Sequence, residues 1–322
     1  MAAEGLRAAP TPVPTTAAGK RRDREATVAF WLFMAPMLLG LIIFTFVPIV
    51  WGFLLSFSRA QNSVSITDFV GFQNYVDVIR DREFRRSLVT ILVFTAFIVP
   101  LTYAASLGLA MLVNGANWGR GIFRTAFFIP TAISYVVASL IWRMSLFNGI
   151  PSGVANIAIF EWFGIEDPVS WIAGSDPPWY WLVLVSVRLW LQVGFYMIIF
   201  IAGLQEIPRS LYEAAWVDGA RSGWTTFRDI TLPMLRNTTI AVMLLLFINA
   251  FQAFDEFFNI LGGTAASAGN RGLARPPLVY LYRVALGDQD YGRGSAGAFI
   301  LTALIIIVTL VQGRLLGFGR RA

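Results

Sequence analysis

The chain of 322 residues contains no cysteine and no histidine. Their absence excludes disulfides, thiolate nucleophiles, histidine general bases and zinc sites built from the usual ligands. Charge is scarce as well, at 14% of residues, against roughly a quarter in soluble domains. Lysine is nearly missing, Lys20 being the single one among 25 basic residues. A phosphate-cradling loop of the form G-x-x-x-x-G-K-[ST] therefore has one place to be. There Pro14 stands for its first glycine and Arg21 for its hydroxyl residue. Nucleotide hydrolysis through that motif is excluded.

What the chain has instead is apolar length. It is 57% hydrophobic with a mean hydropathy of +0.65, the composition of a membrane protein. Six segments are long enough to cross a hydrocarbon core: 28–57, 87–113, 121–146, 179–204, 237–261 and 294–317. Pro36, Pro48, Pro100 and Pro130 fall inside spans, where membrane helices tolerate them. Residues 1–25, ending in KRRDRE, have no apolar core before the basic cluster and read as a flexible tail rather than a cleaved leader. VANIAIFEWF (154–163) is too short to span and reads as a surface helix at the outer end.

The net charge of +6 sits in loops flanking the spans, which points to topology rather than to nucleic acid. Fourteen basic residues lie on the face that holds both termini, residues 114–124 and the loop 205–236, against nine on the other. The richer face is expected to be cytoplasmic.

The loop 205–236 interrupts this pattern with LYEAAWVDGARSGWTTFRDITLPML (211–235). Ser210 and Glu213 have the spacing of a capping box, which predicts a helix from Leu211 to about Asp218, ended by Gly219. A second short helix is expected from Trp224 to Ile230, before Pro233. From pattern alone, a hairpin resting on the lipid surface fits equally well.

The residues EAAWVDGA, followed by Phe227 and I-T-L-P, resemble the cytoplasmic EAA loop of permease subunits in ABC importers. Glu213, Ala214, Ala215, Asp218, Gly219, Ala220, Phe227, Ile230, Leu232 and Pro233 carry the match. Between Gly219 and Phe227 the chain is one residue longer than the family pattern, with Gly223 the extra one. GFQNYVDVI (71–79), FNGIPSGVANIAI (147–159), Trp190 with Gly194 and Phe195, and FDEFFNILGG (254–263) extend the likeness to permeases of the maltose/glycerol-phosphate type. The resemblance implies an all-α polytopic inner-membrane protein with the six-helix type I importer fold. It implies a coupling helix, 211–220, seated on a separate ATPase, a second permease subunit, two ATPase subunits and an extracytoplasmic solute-binding protein. No cofactor is implied on this chain, ATP and magnesium belonging to the ATPase.

Polar residues inside spans cost free energy and usually serve something. Asn249, Gln252, Glu256 and Asn259 recur at i, i+3, i+7 and i+10, one face of a continuous helix, with Asp255 beside them. In the fourth span Arg188 and Gln192 share a face, with Trp190 and Tyr196 near. Arg188 falls at a depth where it can meet Asp255 or Glu256. Two readings stay open: the groups satisfy one another between packed helices, or Gln192, Asn249, Gln252 and Glu256, with Trp190 and Tyr196 as platforms, line a solute pathway. Trp162, Trp171, Trp179 and Trp181 fall near the outer boundary, where an aromatic belt is normal. The function expected is import of a sugar or sugar-like solute by alternating access. A glycerol-phosphodiester or polyol solute and, more distantly, a membrane-embedded transferase using Arg188, Asp255 and Glu256 are the alternatives.

Overall fold

A computed structural model describes residues 17–173, 176–220, 223–262, 274–315 and 317. The backbone contacts divide into two units, 1–54 and 55–322. The first is helical where described. α1 (Ala17–Leu41) passes through a π turn at Ile42–Phe46 into α2 (Val47–Ser56), and Glu25–Ser56 forms one apolar run of 32 residues. The π turn ends two residues before Pro48, whose ring cannot fit a regular turn and whose missing N–H leaves a carbonyl free. Residues 17–25, expected in the tail, are already the first turns of α1.

The second unit opens with a two-stranded antiparallel hairpin, β1 (Ser58–Arg59) and β2 (Asp68–Phe69). A bridge between Gln61 and Asp290 ties it to the last span. Then follow α3 (Gln73–Arg80) and α4 (Arg82–Gly115). Asp81 caps α4, its Oδ1 accepting from the Glu83 amide at 2.7 Å, and Glu83 sits in the positive first turn. Asp81 Oδ2 also accepts from the Tyr280 hydroxyl at 2.7 Å and from Arg293 at 3.3 Å.

The third span is not the continuous helix expected over 121–146. α5 (Arg120–Phe128) runs into a 3₁₀ turn at Ile129–Ala132, and α6 (Tyr135–Ile141) then starts anew, the pair bending by 93°. Pro130 weakens the ladder, and Ser134 restarts it by accepting from the Val136 amide at 3.3 Å. α7 (Val154–Phe163) occupies the residues expected for the short surface helix. α8 (Tyr180–Gln205) packs along α4 and forms the centre of the buried core with Phe94, Ile98, Val187, Leu191 and Phe200. Gly194 lets it approach α5, since a Cβ there would collide with the Phe127 carbonyl.

α9 (Arg209–Val217), α10 (Gly223–Thr226), a π turn at Phe227–Thr231 and α11 (Leu232–Met234) make the loop between the fourth and fifth spans. The fifth span is also broken, into α12 (Arg236–Phe251) and α13 (Asp255–Leu261). α14 (Pro277–Tyr282) and α15 (Tyr291–Leu315) complete the described chain. Among the described residues, five helices are thus long and apolar enough to cross a membrane, and six crossings result when the bent third pair counts as one. The molecule is an all-α polytopic membrane protein.

Candidate functional site

Two regions gather the residues singled out in the sequence. The first is the loop α9–α11. Its helix begins at Arg209, two residues before the expected start, because Pro208 with φ −60° and ψ 131° already provides the extended cap. The capping box of Ser210 and Glu213 does not form. Ser210 lies within the first turn, and Glu213 reaches back one turn to Arg209 at 3.2 Å.

The stop is as expected and better defined. Gly219 has φ +92°, its amide donates to the Trp216 carbonyl at 3.2 Å, and the Ala220 amide donates to the Ala215 carbonyl at 2.9 Å. These two bonds are the Schellman pair, which needs a left-handed residue at the turn. Ala214, Asp218 and Gly219 lie on an exposed surface with Leu211, Trp216, Val217 and Trp224, Val217 being 88% exposed.

The second short helix is wider than expected. Beyond Thr226 it becomes a π turn in which the Leu232 amide donates to the Phe227 carbonyl. Thr231 Oγ1 bonds the Tyr212 hydroxyl at 3.1 Å, joining this turn to α9. Phe227 and Ile230 are half-buried, Phe227 packing on Trp224 with centroids 5.6 Å apart, and Pro233 opens α11. Arg221 lies outside the described residues.

The second region is within the membrane. The stripe expected along a continuous fifth span is interrupted at 252–254, where Phe254 takes φ −140° and ψ −60°. Breaking the helix frees the Asn249 carbonyl, because the Ala253 amide turns to Ala250 at 3.1 Å instead. Arg188 bridges the break. Its Nη2 donates to the freed Asn249 carbonyl and its Nη1 to Glu256 Oε1 at 2.6 Å. The pair is almost fully buried, Arg188 at 5% exposure and Glu256 at 0%. The guanidinium lies over the rings of Tyr135 (5.3 Å) and Phe94 (6.0 Å). Charge placement suits both half-helices: a cation at the carbonyl end of α12, carboxylates in the first turn of α13.

A cavity of about 150 Å³ adjoins this knot, lined by Tyr135, Arg188, Asn249, Gln252, Phe254, Asp255 and Glu256. Arg188 Nε and Glu256 Oε2 are buried without a hydrogen-bond partner. Gln192 lies near the Tyr135 hydroxyl, and the Asn249 amide donates to Tyr196 at 3.2 Å. Asn249, Gln252, Asp255 and Glu256 therefore converge on the cavity, with Gln192 and Tyr196 one contact behind. Trp190 does not, packing on Trp142 at 5.0 Å. Asn259 also points away, its amide donating to the Asp255 carbonyl at 2.7 Å.

Three contributors were not singled out in the sequence. Tyr135 and Phe94 are aromatics in spans, a class too common to signal anything. Arg143 is different: it is a charge within the third span, the signal that marked Arg188, and it holds the Asn259 carbonyl of α13 at 3.0 Å. Trp171 corrects the aromatic-belt reading. It is buried, donates to Asn156 at 2.9 Å and packs edge-on against Phe147 and Trp179.

Residues 142–316 match the family described as binding-protein-dependent transport system inner membrane component. The chain is 30% identical over 305 residues to the trehalose/maltose transport system permease protein MalF of Thermococcus litoralis, covering 94% of this chain and 97% of that one. It is 32% identical over 289 residues to the arabinooligosaccharides transport system permease protein AraP of Bacillus subtilis, covering 89% and 88%. Among solved structures, a bacterial ABC transporter involved in the import of the acidic polysaccharide alginate shares the fold. Its TM-score is 0.79 at 20% identity, over 94% of this chain and 99% of that chain. The bent spans, the polar knot and the short-helix loop are thus those of a transporter subunit rather than an enzyme, and the chain belongs to the family of inner-membrane components of binding-protein-dependent transport systems.

Proposed function

We propose that this chain is one of two permease subunits of an ATP-driven importer for an uncharged oligosaccharide, with α9 as the element that couples it to a separate ATPase. The observation that carries the reading is the loop α9–α11. A helix stopped by a Schellman turn presents Leu211, Trp216, Val217 and Trp224 to solvent beside Glu213 and Asp218, and exposed apolar groups of this extent seek a partner. In this reading the loop and both termini are cytoplasmic. Two ATPase subunits, which hold the ATP and magnesium, close on it and drive alternating access. An extracytoplasmic binding protein delivers solute to the outer loops 59–86, 147–178 and 262–292, the stretch 263–273 lying outside the described residues.

Solute class follows from the cavity chemistry and the relatives. Arg188 is neutralised by Glu256, Asp255 adds an acid, and Asn249, Gln252 and Tyr135 offer neutral hydrogen bonds. Such a surface suits hydroxyls and disfavours anions, in keeping with relatives named for trehalose/maltose and arabinooligosaccharides. A phosphodiester solute fits it less well.

The test is ATP-driven uptake of labelled neutral oligosaccharides by the complete importer in proteoliposomes. Gln252→Leu and Asn249→Leu should each lower uptake about tenfold, the worth of one or two lost hydrogen bonds, while the complex still assembles. Wild-type uptake in both variants would place the solute path elsewhere.

A further inference from the structure

The segment 147–173 forms a built platform at the end of the bundle assigned above to the outer face. Asn156 pins it, its amide donating to the carbonyls of Ile150 (3.0 Å) and Val169 (3.3 Å). Its Oδ1 accepts from the Val169 amide (3.1 Å) and from Trp171 Nε1 (2.9 Å). With both donors and both lone pairs of the side chain used, this floor is fixed. α7 rises from it and stops at Gly164, where φ is +66°. Between them opens a cavity of about 370 Å³ lined by Pro151, Asn156, Ile157, Phe160, Ile165, Glu166 and Pro168.

Two properties identify what fits it. The walls are apolar, formed by exposed Phe160, Ile165 and Pro168, with Glu166 also in the lining. The whole stretch 147–178 carries four acids, Glu161, Glu166, Asp167 and Asp176, and no lysine or arginine. The outer loops 59–86 and 262–292, by contrast, mix arginines with their acids. An anionic lipid surface is repelled by this loop, whereas a long cationic side chain matches it, with its stem between apolar walls and its head at a carboxylate. We propose that this cavity seats an arginine or lysine of the extracytoplasmic solute-binding protein, and that the acidic loop around it steers that protein into place. The proposal rests on the orientation given under Proposed function.

The experiment uses the complete importer in nanodiscs and its binding protein, with affinity measured at 50 and 300 mM salt. Glu166→Arg should weaken binding at least tenfold and Glu166→Gln about threefold, with less salt dependence in both. Phe160→Ala should weaken it at either salt concentration. Hydrolysis of ATP without the binding protein should be unchanged in all three. Unaltered affinity in Glu166→Arg and Phe160→Ala would overturn the proposal, as would variants that change only the preference for anionic lipid. Orientation is read separately, because the chain has no cysteine. Ser152→Cys should react with an impermeant maleimide on intact spheroplasts. Reaction only after permeabilisation would overturn the orientation and this docking site together; reaction from outside with unaltered affinity would overturn the docking site alone.

Discussion

The loop α9–α11 and the knot around Arg188 use opposite means to hold their shape. In the loop, backbone does the holding: the Schellman pair at Gly219 and the π turn at Phe227–Thr231 set the path, and most charged and apolar side chains are left facing water. In the knot, side chains hold the backbone. Arg188 occupies the carbonyl that a broken helix released and grips the next half-helix through Glu256. Water explains the contrast. At the surface it satisfies unpaired groups and leaves them available to a partner protein. Inside the bilayer each freed carbonyl and each charge must find a protein partner.

The strongest way to break the comparison is to remove one half of the knot. Arg188→Leu or Glu256→Leu leaves an unpaired buried charge, at a cost of about 3–5 kcal/mol. The double variant Arg188→Met with Glu256→Met should recover most of that stability without restoring transport. Thermal unfolding of the solubilised chain, followed through its eleven tryptophans, reads both. Single variants that unfold at the wild-type temperature would show that the pair holds nothing together.

A smaller effect is expected in the loop. At Gly219 nothing crowds an added Cβ, so Gly219→Val tests conformation alone, at about 1–2 kcal/mol for a left-handed β-branched residue. The importer should assemble, yet solute should no longer stimulate its ATP hydrolysis. Full stimulation together with full uptake would remove the loop from the coupling path.

The smallest effect sharpens the contrast at a place between the two extremes, the wet end of α4. Burial tends to raise the Asp81 carboxyl pKa, but hydrogen bonds from Tyr280 and from the Glu83 and Phe84 amides, with Arg293 nearby, outweigh it and hold the pKa below 3.8. A depressed carboxylate pKa stabilises the fold above the unfolded value and loses that contribution as pH falls through the folded one. The unfolding temperature should therefore drop on acidification below about pH 4, and Asp81→Asn should flatten that limb. An unchanged acid limb in Asp81→Asn would assign the drop to other groups.

Much of the architecture was legible in the chain because membrane helices announce themselves by apolar length. The surface helix 154–163 and the glycine stop at 219 were equally plain. What escaped were interruptions. The bend after Pro130 and the break before Asp255 lie in stretches whose hydropathy is continuous, and only local hydrogen bonding reveals them. Ser210 and Glu213 had the right spacing for a capping box, but Pro208 had already started the helix. The partners of Arg188 could be guessed by depth, whereas the ring of Tyr135 over it depends on a turn that apolar periodicity does not encode. The extra residue near Gly223 is followed by a π turn, which holds one residue more than an α turn. Added length there can be taken up locally, before the fifth span begins.

The final span, Tyr291–Leu315, buries only 22% of its apolar window within this chain. Surface of that kind has to be covered by lipid or by protein, so the stability of the folded chain depends on what surrounds it as well as on its own residues. Whatever binds that surface in the folded form alone stabilises the fold in step with its concentration.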